Sequence, residues 1–196
     1  MSVVEYREDI MNYLKSFIPW IAFAVVSTQF DWRYSGLVGL VLAAGLLGLE
    51  RRRGKAWDTL VIELSATVFF AVLTVWSFAD PGSPLHDYVG SLSDVWLAVT
   101  AWGSIAVRRP FTLGIAKTMV PPAVWDNPAF LRVNIVITAV WAASFTVAGL
   151  ASAVLLNAAP HATAALIVIK VLGFAVPASF TVHYRRTVQA RARKAA

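Results

Sequence analysis

The sequence predicts an all-α, polytopic membrane protein of about six transmembrane helices in one compact bundle, with the N- and C-termini in the cytoplasm. Composition is the first observation behind this prediction. Of the 196 residues, 58% are hydrophobic and only 14% are charged, whereas about 25% of the residues in a typical soluble domain are charged. The second observation is that the apolar residues form long runs with Lys and Arg clustered between them. Runs of this kind are typical of helices that cross a bilayer.

Residues 1–12 predict an amphipathic helix at the membrane interface that leads into the first span. Apolar residues recur there at steps of three or four, and Ser2 with Glu5 has the spacing of a capping box. A cleaved signal peptide begins with a basic region, but this segment contains Glu5, Glu8 and Asp9. We therefore expect the first apolar run to stay in the mature protein.

Six apolar segments approach the roughly 20 residues that a spanning helix needs. They form a predicted transmembrane domain with spans at about 13–30, 34–50, 57–79, 88–107, 130–157 and 161–184, within 13–184 overall. Lys15 and Pro19 interrupt the first segment, and Asp94 with two serines dilutes the fourth. The alternative is a five-span protein in which the first segment lies in the interface and the N-terminus is outside.

The loops between these segments alternate in charge, and this alternation predicts the orientation. One side carries almost all the cations, namely Arg7, Lys15, Arg51, Arg52, Arg53, Lys55, Arg108, Arg109, Lys117, Arg132, Arg185, Arg186, Arg191, Arg193 and Lys194. The other side has Arg33 alone. Because Lys and Arg accumulate in short cytoplasmic loops, the pattern predicts cytoplasmic termini and a basic cytoplasmic tail at 185–196. Cations placed between apolar runs do not predict nucleic-acid binding.

The longest connection, at about 108–129, predicts a short interfacial helix. Phe111, Ile115 and Met119 recur at four-residue spacing, and Pro121 with the proline after it ends the pattern. We interpret the segment as a membrane-surface linker. The functional alternative is a cytoplasmic docking or gating element.

Small residues and one proline predict how the helices pack. Pairs at four-residue spacing, such as Gly39 with Ala43 and Ala148 with Ser152, let helices approach closely in lipid and are compatible with a homodimer. Pro177 removes a backbone donor within the last span, so that helix is expected to kink there.

Ionisable residues within spans indicate function or a buried pair, and Glu63, Asp94 and Lys170 are of this kind. Asp94 and Lys170 lie on segments that run in the same direction, at a similar number of residues before their basic ends. At about 1.5 Å per residue the two share a depth, which predicts an ion pair. Its role is either structural or that of a relay in a polar path that also includes Asn134 and Glu63.

Metal, cofactor and enzyme chemistry are not predicted. The chain has no cysteine, and His86, His161 and His183 do not stand at the spacing that ligation within one helix uses. No nucleophile elbow, phosphate-binding loop or zinc-protease motif occurs. We therefore expect a non-enzymatic protein without cofactor or metal.

Several motifs together resemble the intracellular septation protein A family of bacterial inner-membrane proteins. They are "FIPW" in the first span, "FLRVNIVITAVWAASFTVAG" in the fifth and "IKVLGFAVPASFT" in the sixth. The most specific positions are Arg108, Arg109, Pro110, Asn134, Trp141, Gly149, Lys170 and Gly173. The resemblance implies a multi-pass protein of the cytoplasmic membrane linked to septation, cell elongation and envelope integrity, with no established reaction.

Two hypotheses of function follow. In the first, the protein supports the division and envelope machinery through helix and loop contacts, with division or envelope proteins and membrane lipid as partners. In the second, it is a small channel or secondary transporter for an ion or small solute that uses Lys170 and Asp94.

Overall fold

A computed structural model describes residues 3–159 and 161–195, with side chains from 15 to 159 and from 161 to 191. These residues form seven α-helices: α1 Val3–Val26, α2 Trp32–Arg52, α3 Val61–Ala79, α4 Leu85–Ala106, α5 Phe111–Lys117, α6 Pro128–Ala158 and α7 Thr163–Ala195. Two 3-10 turns, Trp57–Thr59 and Pro122–Val124, precede α3 and α6. The described residues contain no strand, so the all-α class is confirmed.

Four helices, α2, α3, α6 and α7, are long and apolar enough to cross a membrane. Within the described residues α1 and α4 do not meet the same criterion. The part of α1 with described side chains, Lys15–Val26, is shorter than a span, and α4 carries buried Ser91, Ser93 and Asp94. The six predicted segments are all helical, but length and composition identify four candidate spans.

Local signals explain where several helices begin and end. Asp31 caps α2 because its carboxylate accepts a hydrogen bond from the backbone N–H of Arg33 at 2.9 Å. Hydrogen bonds from the side chain and backbone of Arg33 lower the pKa of Asp31. Asn127 caps α6 in the same way, and Pro128 occupies the first helical position. Arg108 ends α4 with a φ of 56°.

Successive long helices run antiparallel, which gives the bundle two distinct ends. At the basic end, Lys117 pairs with Asp58 across 3.6 Å and Arg185 contacts the sulfur of Met119. At the opposite end, the Trp32 indole donates to the Pro81 carbonyl at 3.2 Å, and Tyr88 donates to Asn157 at 3.1 Å. Of the described Lys and Arg side chains outside α7, Arg33 is the one at this opposite end.

An aromatic cluster forms the centre of the core. Trp141 on α6 is fully buried, and rings from α1, α5, α6 and α7 surround it, namely Phe17, Phe111, Phe145 and Phe174. The indole N–H donates to Thr181 at 3.0 Å. This cluster joins α1 to three helices from the second half of the chain.

The 108–129 connection differs from its interpretation as a surface linker. The predicted short helix exists as α5, but Phe111, Thr112 and Ile115 are buried in the bundle. The Phe111 ring contacts Phe17 and Trp141, so the four-residue spacing marks an inward face. Gly114 permits this position, because a Cβ there would lie 2.1 Å from the Thr59 carbonyl oxygen.

The two terminal segments continue the helices beside them. The predicted interfacial helix at 1–12 has its described part within α1, which runs unbroken to Val26 through Pro19. Ser2 and the side chains of the predicted amphipathic face up to residue 14 lie outside what the structure describes. The described part of the predicted tail, 185–195, is the last part of α7, which also runs through Pro177. A kink at Pro177 stays a prediction.

Candidate functional site

The Lys170 ammonium on α7 binds two oxygens of α4. It contacts the Asp94 carboxylate and the carbonyl oxygen of Gly90, one helical turn away. The Asp94 side chain is 11% exposed and that of Lys170 is 36% exposed. The sequence prediction placed these two residues at one depth, and the structure brings them together as an ion pair.

Small residues make this contact sterically feasible. At Gly149 on α6, a Cβ would lie 3.3 Å from the Asp94 Cβ, so α4 and α6 approach closely there. At Gly173 on α7, a Cβ would lie 2.9 Å from the Ala148 Cβ. α7 packs on α6, and α6 packs on α4. Because the side chains of α6 are small at this level, the Lys170 side chain can extend past α6 to α4.

Two buried serines lie near this pair. The hydroxyls of Ser91 and Ser152 have no hydrogen-bond partner among the described residues. Ser91 precedes Asp94 by three residues, and Ser152 follows Gly149 by three, so each is one helical turn from the α4–α6 contact. Most buried hydroxyls have a hydrogen-bond partner, so these two are exceptions beside the α4–α6 contact.

Glu63 lies apart from Lys170. It is in the first turn of α3 and is 8% exposed. Its Oε1 accepts a hydrogen bond from Ser16 of α1 at 2.6 Å, while Oε2 has no partner among the described residues. Because α3 begins at Val61, Glu63 lies close to the basic end of that helix.

Asn134 lies in a third place, between α5 and α6. Its side-chain amide donates to the Phe130 carbonyl at 2.9 Å. The Thr112 hydroxyl is 3.2 Å from the Asn134 Oδ1 and 2.8 Å from the Thr138 hydroxyl. These contacts hold α5 against α6, and they do not connect Asn134 with the Asp94–Lys170 pair.

The remaining positions of the family resemblance make contacts that hold the fold together. They are Arg108, Arg109, Pro110, Trp141, Gly149 and Gly173. The Arg109 N–H donates to the Ser104 carbonyl at 2.8 Å and closes α4. Pro110 is the residue before α5. Sequence reasoning did not identify Ser16 and Thr112, because a hydroxyl on an apolar helix gives no periodic signal.

A polar cavity of about 300 Å³ opens at the basic end between α1, α2, α3 and α5. Its charged lining consists of Lys15, Glu50, Arg53, Lys55 and Glu63. Glu50 pairs with both Arg53 and Lys55. A second, apolar cavity of about 170 Å³ lies between α5, α6 and α7. Neither cavity includes Asp94 or Lys170.

Within the described residues, no group of three or more His, Asp or Glu side chains is placed to hold a metal ion. The predicted polar groups within the bundle are the Asp94–Lys170 ion pair, the separate buried carboxylate of Glu63 and the buried amide of Asn134. The pair can fasten helices or exchange a proton. No protein-family model, curated protein or solved structure matches the chain.

Proposed function

We propose that the chain is a six-span protein of the bacterial cytoplasmic membrane with both termini in the cytoplasm. The support for α4 as a span is the direction in which its side chains point. Ser91 and Asp94 are buried, whereas Val95, Val99 and Trp102 are exposed. A helix with polar groups inside and apolar groups outside suits a lipid solvent, where polar groups must find partners within the protein.

The same argument supports α1 as a span. Phe17 and Trp20 are buried against the bundle, whereas Ile18, Ile21 and Val25 are exposed. Exposed branched aliphatic side chains on a helix that is also buried on its other face suit lipid better than water. The basic end then faces the cytoplasm by the charge rule.

Single-cysteine labelling tests this orientation, because the chain has no cysteine of its own. Gln29 and Asp126 are exposed in connections at opposite ends. An impermeant maleimide should label Gln29→Cys in intact cells and Asp126→Cys only after permeabilisation. The reverse labelling pattern would contradict the orientation.

For the activity, we propose a non-enzymatic role in which the bundle supports division and envelope proteins through contacts at its basic end. The observation that carries this proposal is the closed Asp94–Lys170 pair, since a lysine bound by a carboxylate and a carbonyl fastens helices without needing a ligand. The resemblance to septation proteins supplies the cellular process. The contact surface is the exposed stretch 121–129 together with the basic end of α7.

Cell length and envelope permeability test this role. Cells that lack the chain should show altered length, altered septa or a leaky envelope, and the wild-type gene should restore them. Trp125→Ala combined with Arg191→Gln changes exposed residues of the contact surface. This double variant should insert into the membrane normally but fail to restore cell length and envelope integrity. Arg33→Gln, at the opposite end, is the matched control. Full restoration by the double variant would contradict the contact surface.

A channel or transporter is the second candidate, and the unpartnered hydroxyls of Ser91 and Ser152 favour it. Each lies one helical turn from the α4–α6 contact at Asp94, so a permeating ion or proton could find polar groups there besides the ion pair. Purified protein in liposomes should then conduct protons or monovalent cations. Lys170→Met should change the flux per amount of protein incorporated into the liposomes. Flux at the level of empty liposomes would exclude this candidate.

A further inference from the structure

The polar cavity at the basic end combines a buried carboxylate with a rim of cations. Glu63 lies at its inner side, nine-tenths buried, with a hydroxyl on one oxygen and no partner on the other among the described residues. Lys15, Arg53 and Lys55 line the same cavity. At about 300 Å³, the cavity is at the lower end of the size range of small-ligand pockets.

The ion pairs described within the cavity all involve Glu50. Glu50 is shared by two cations, with its Oε1 2.7 Å from Arg53 and its Oε2 in contact with Lys55. That group of three therefore carries a net charge of +1. Glu63 has no described ion pair, and its hydrogen bond comes from the neutral hydroxyl of Ser16. A buried carboxylate of this kind needs a cationic donor or a proton to offset its lost hydration.

The cavity lies where lipid headgroups would be if the basic end faces the interface. Glu63 is in the first turn of α3, just beyond the turn that contains exposed Trp57. The Arg51 guanidinium lies 4.4 Å from the Trp57 ring centroid, and Lys117 lies 5.2 Å from that of Trp125. Trp and basic residues at one level are typical of the membrane interface.

We propose that this cavity binds a phosphoethanolamine group, with its ammonium on Glu63 and its phosphate on the Arg53 and Lys55 side. The phosphate would face the net positive charge of Glu50, Arg53 and Lys55, with Lys15 on the same lining, and the ammonium would face the Glu63 carboxylate. A purely anionic headgroup would offer no cationic donor to Glu63. The group could belong to phosphatidylethanolamine or to soluble glycerophosphoethanolamine, and these two sources differ in the acyl chains.

Native mass spectrometry of the full-length protein in detergent tests the proposal. Dioleoyl phosphatidylethanolamine should bind more tightly than dioleoyl phosphatidylglycerol. Glu63→Gln should weaken binding of the ethanolamine lipid roughly 10- to 100-fold, since it removes a charged hydrogen bond. Binding of the glycerol lipid should not change. Asp126→Asn, an exposed carboxylate at the same end that does not line the cavity, is the control and should bind as wild type.

Two further arms keep the proposal open to refutation. Arg53→Gln changes a mostly exposed side chain, so this variant should fold even if Glu63→Gln does not. It should weaken binding of the ethanolamine lipid, because it removes a contact to the phosphate. Soluble glycerophosphoethanolamine that competes at a concentration similar to that of the lipid would assign the site to a free zwitterion rather than a lipid. Equal affinity for both lipids, with no effect of either variant, would overturn the proposal.

Discussion

The rings of Phe17 and Trp141 stack with their centroids 5.1 Å apart and an angle of 12° between their planes. Phe17 is 1% exposed and Trp141 is 0% exposed. This contact places the first helix against the fifth long helix of the chain at the centre of the bundle. It therefore connects the segment that is weakest as a predicted span to the core that all the other long segments share.

Phe17→Ala should destabilise the bundle by about 3–5 kcal/mol, because it leaves a cavity beside Trp141. Ile18→Ala, next in sequence but exposed, is the control and should cost little. Thermal unfolding in detergent measures both. Equal small effects of the two substitutions would mean that α1 is not held in the core.

The two substitutions that break the Asp94–Lys170 pair should lower the stability by different amounts. Lys170→Met strands the mostly buried Asp94 carboxylate and should cost about 3–5 kcal/mol. Asp94→Asn should cost less, because the more exposed lysine can move its ammonium toward water or lipid headgroups. The double variant should recover most of the stability lost in Lys170→Met. Additive losses in a double-mutant cycle would show that the pair is not coupled.

Gly114 predicts a steric limit at the contact between α5 and the turn before α3. Gly114→Ala would force a Cβ against a backbone carbonyl oxygen, so it should destabilise by about 1–3 kcal/mol. Gly48→Ala is the control, since nothing lies within 4 Å of a Cβ there and alanine is the better helix former. If the two variants unfold at the same temperature, α5 is not packed as described.

Thr181→Val tests the polar contact of the central indole. The valine keeps the shape of threonine but leaves the Trp141 N–H without its acceptor, at a cost of about 1–3 kcal/mol. Thr187→Val is the matched control, because the Thr187 hydroxyl donates only to a carbonyl of its own helix. Tryptophan fluorescence of the variant should also shift as the environment of the indole changes.

Sequence reasoning identified the helices because long apolar runs and clustered cations are one-dimensional signals. It also predicted the Asp94–Lys170 contact, since helical rise converts residue number into depth when the helices run straight to their basic ends. Glu63 lies nearer the basic end than this pair, and a 3-10 turn separates Lys55 from α3 there. Irregular connections of this kind have no periodic signature.

The position of α5 could not be predicted for a different reason. The spacing of Phe111 and Ile115 shows that the helix has an apolar face, but not whether that face meets lipid or protein. The outcome depends on Gly114, which allows close approach to Thr59, and on the acceptor that Asn134 offers to Thr112. Both are contacts between segments distant in sequence.

The proposal of six spans with both ends of the chain inside is tested most directly by a reporter fused to residue 1. With α1 crossing the membrane and the basic end facing inward, as proposed, a reporter that is active only in the cytoplasm should be active in this fusion. An inactive cytoplasmic reporter, together with activity of a periplasmic reporter at the same position, would contradict the six-span topology and favour five spans.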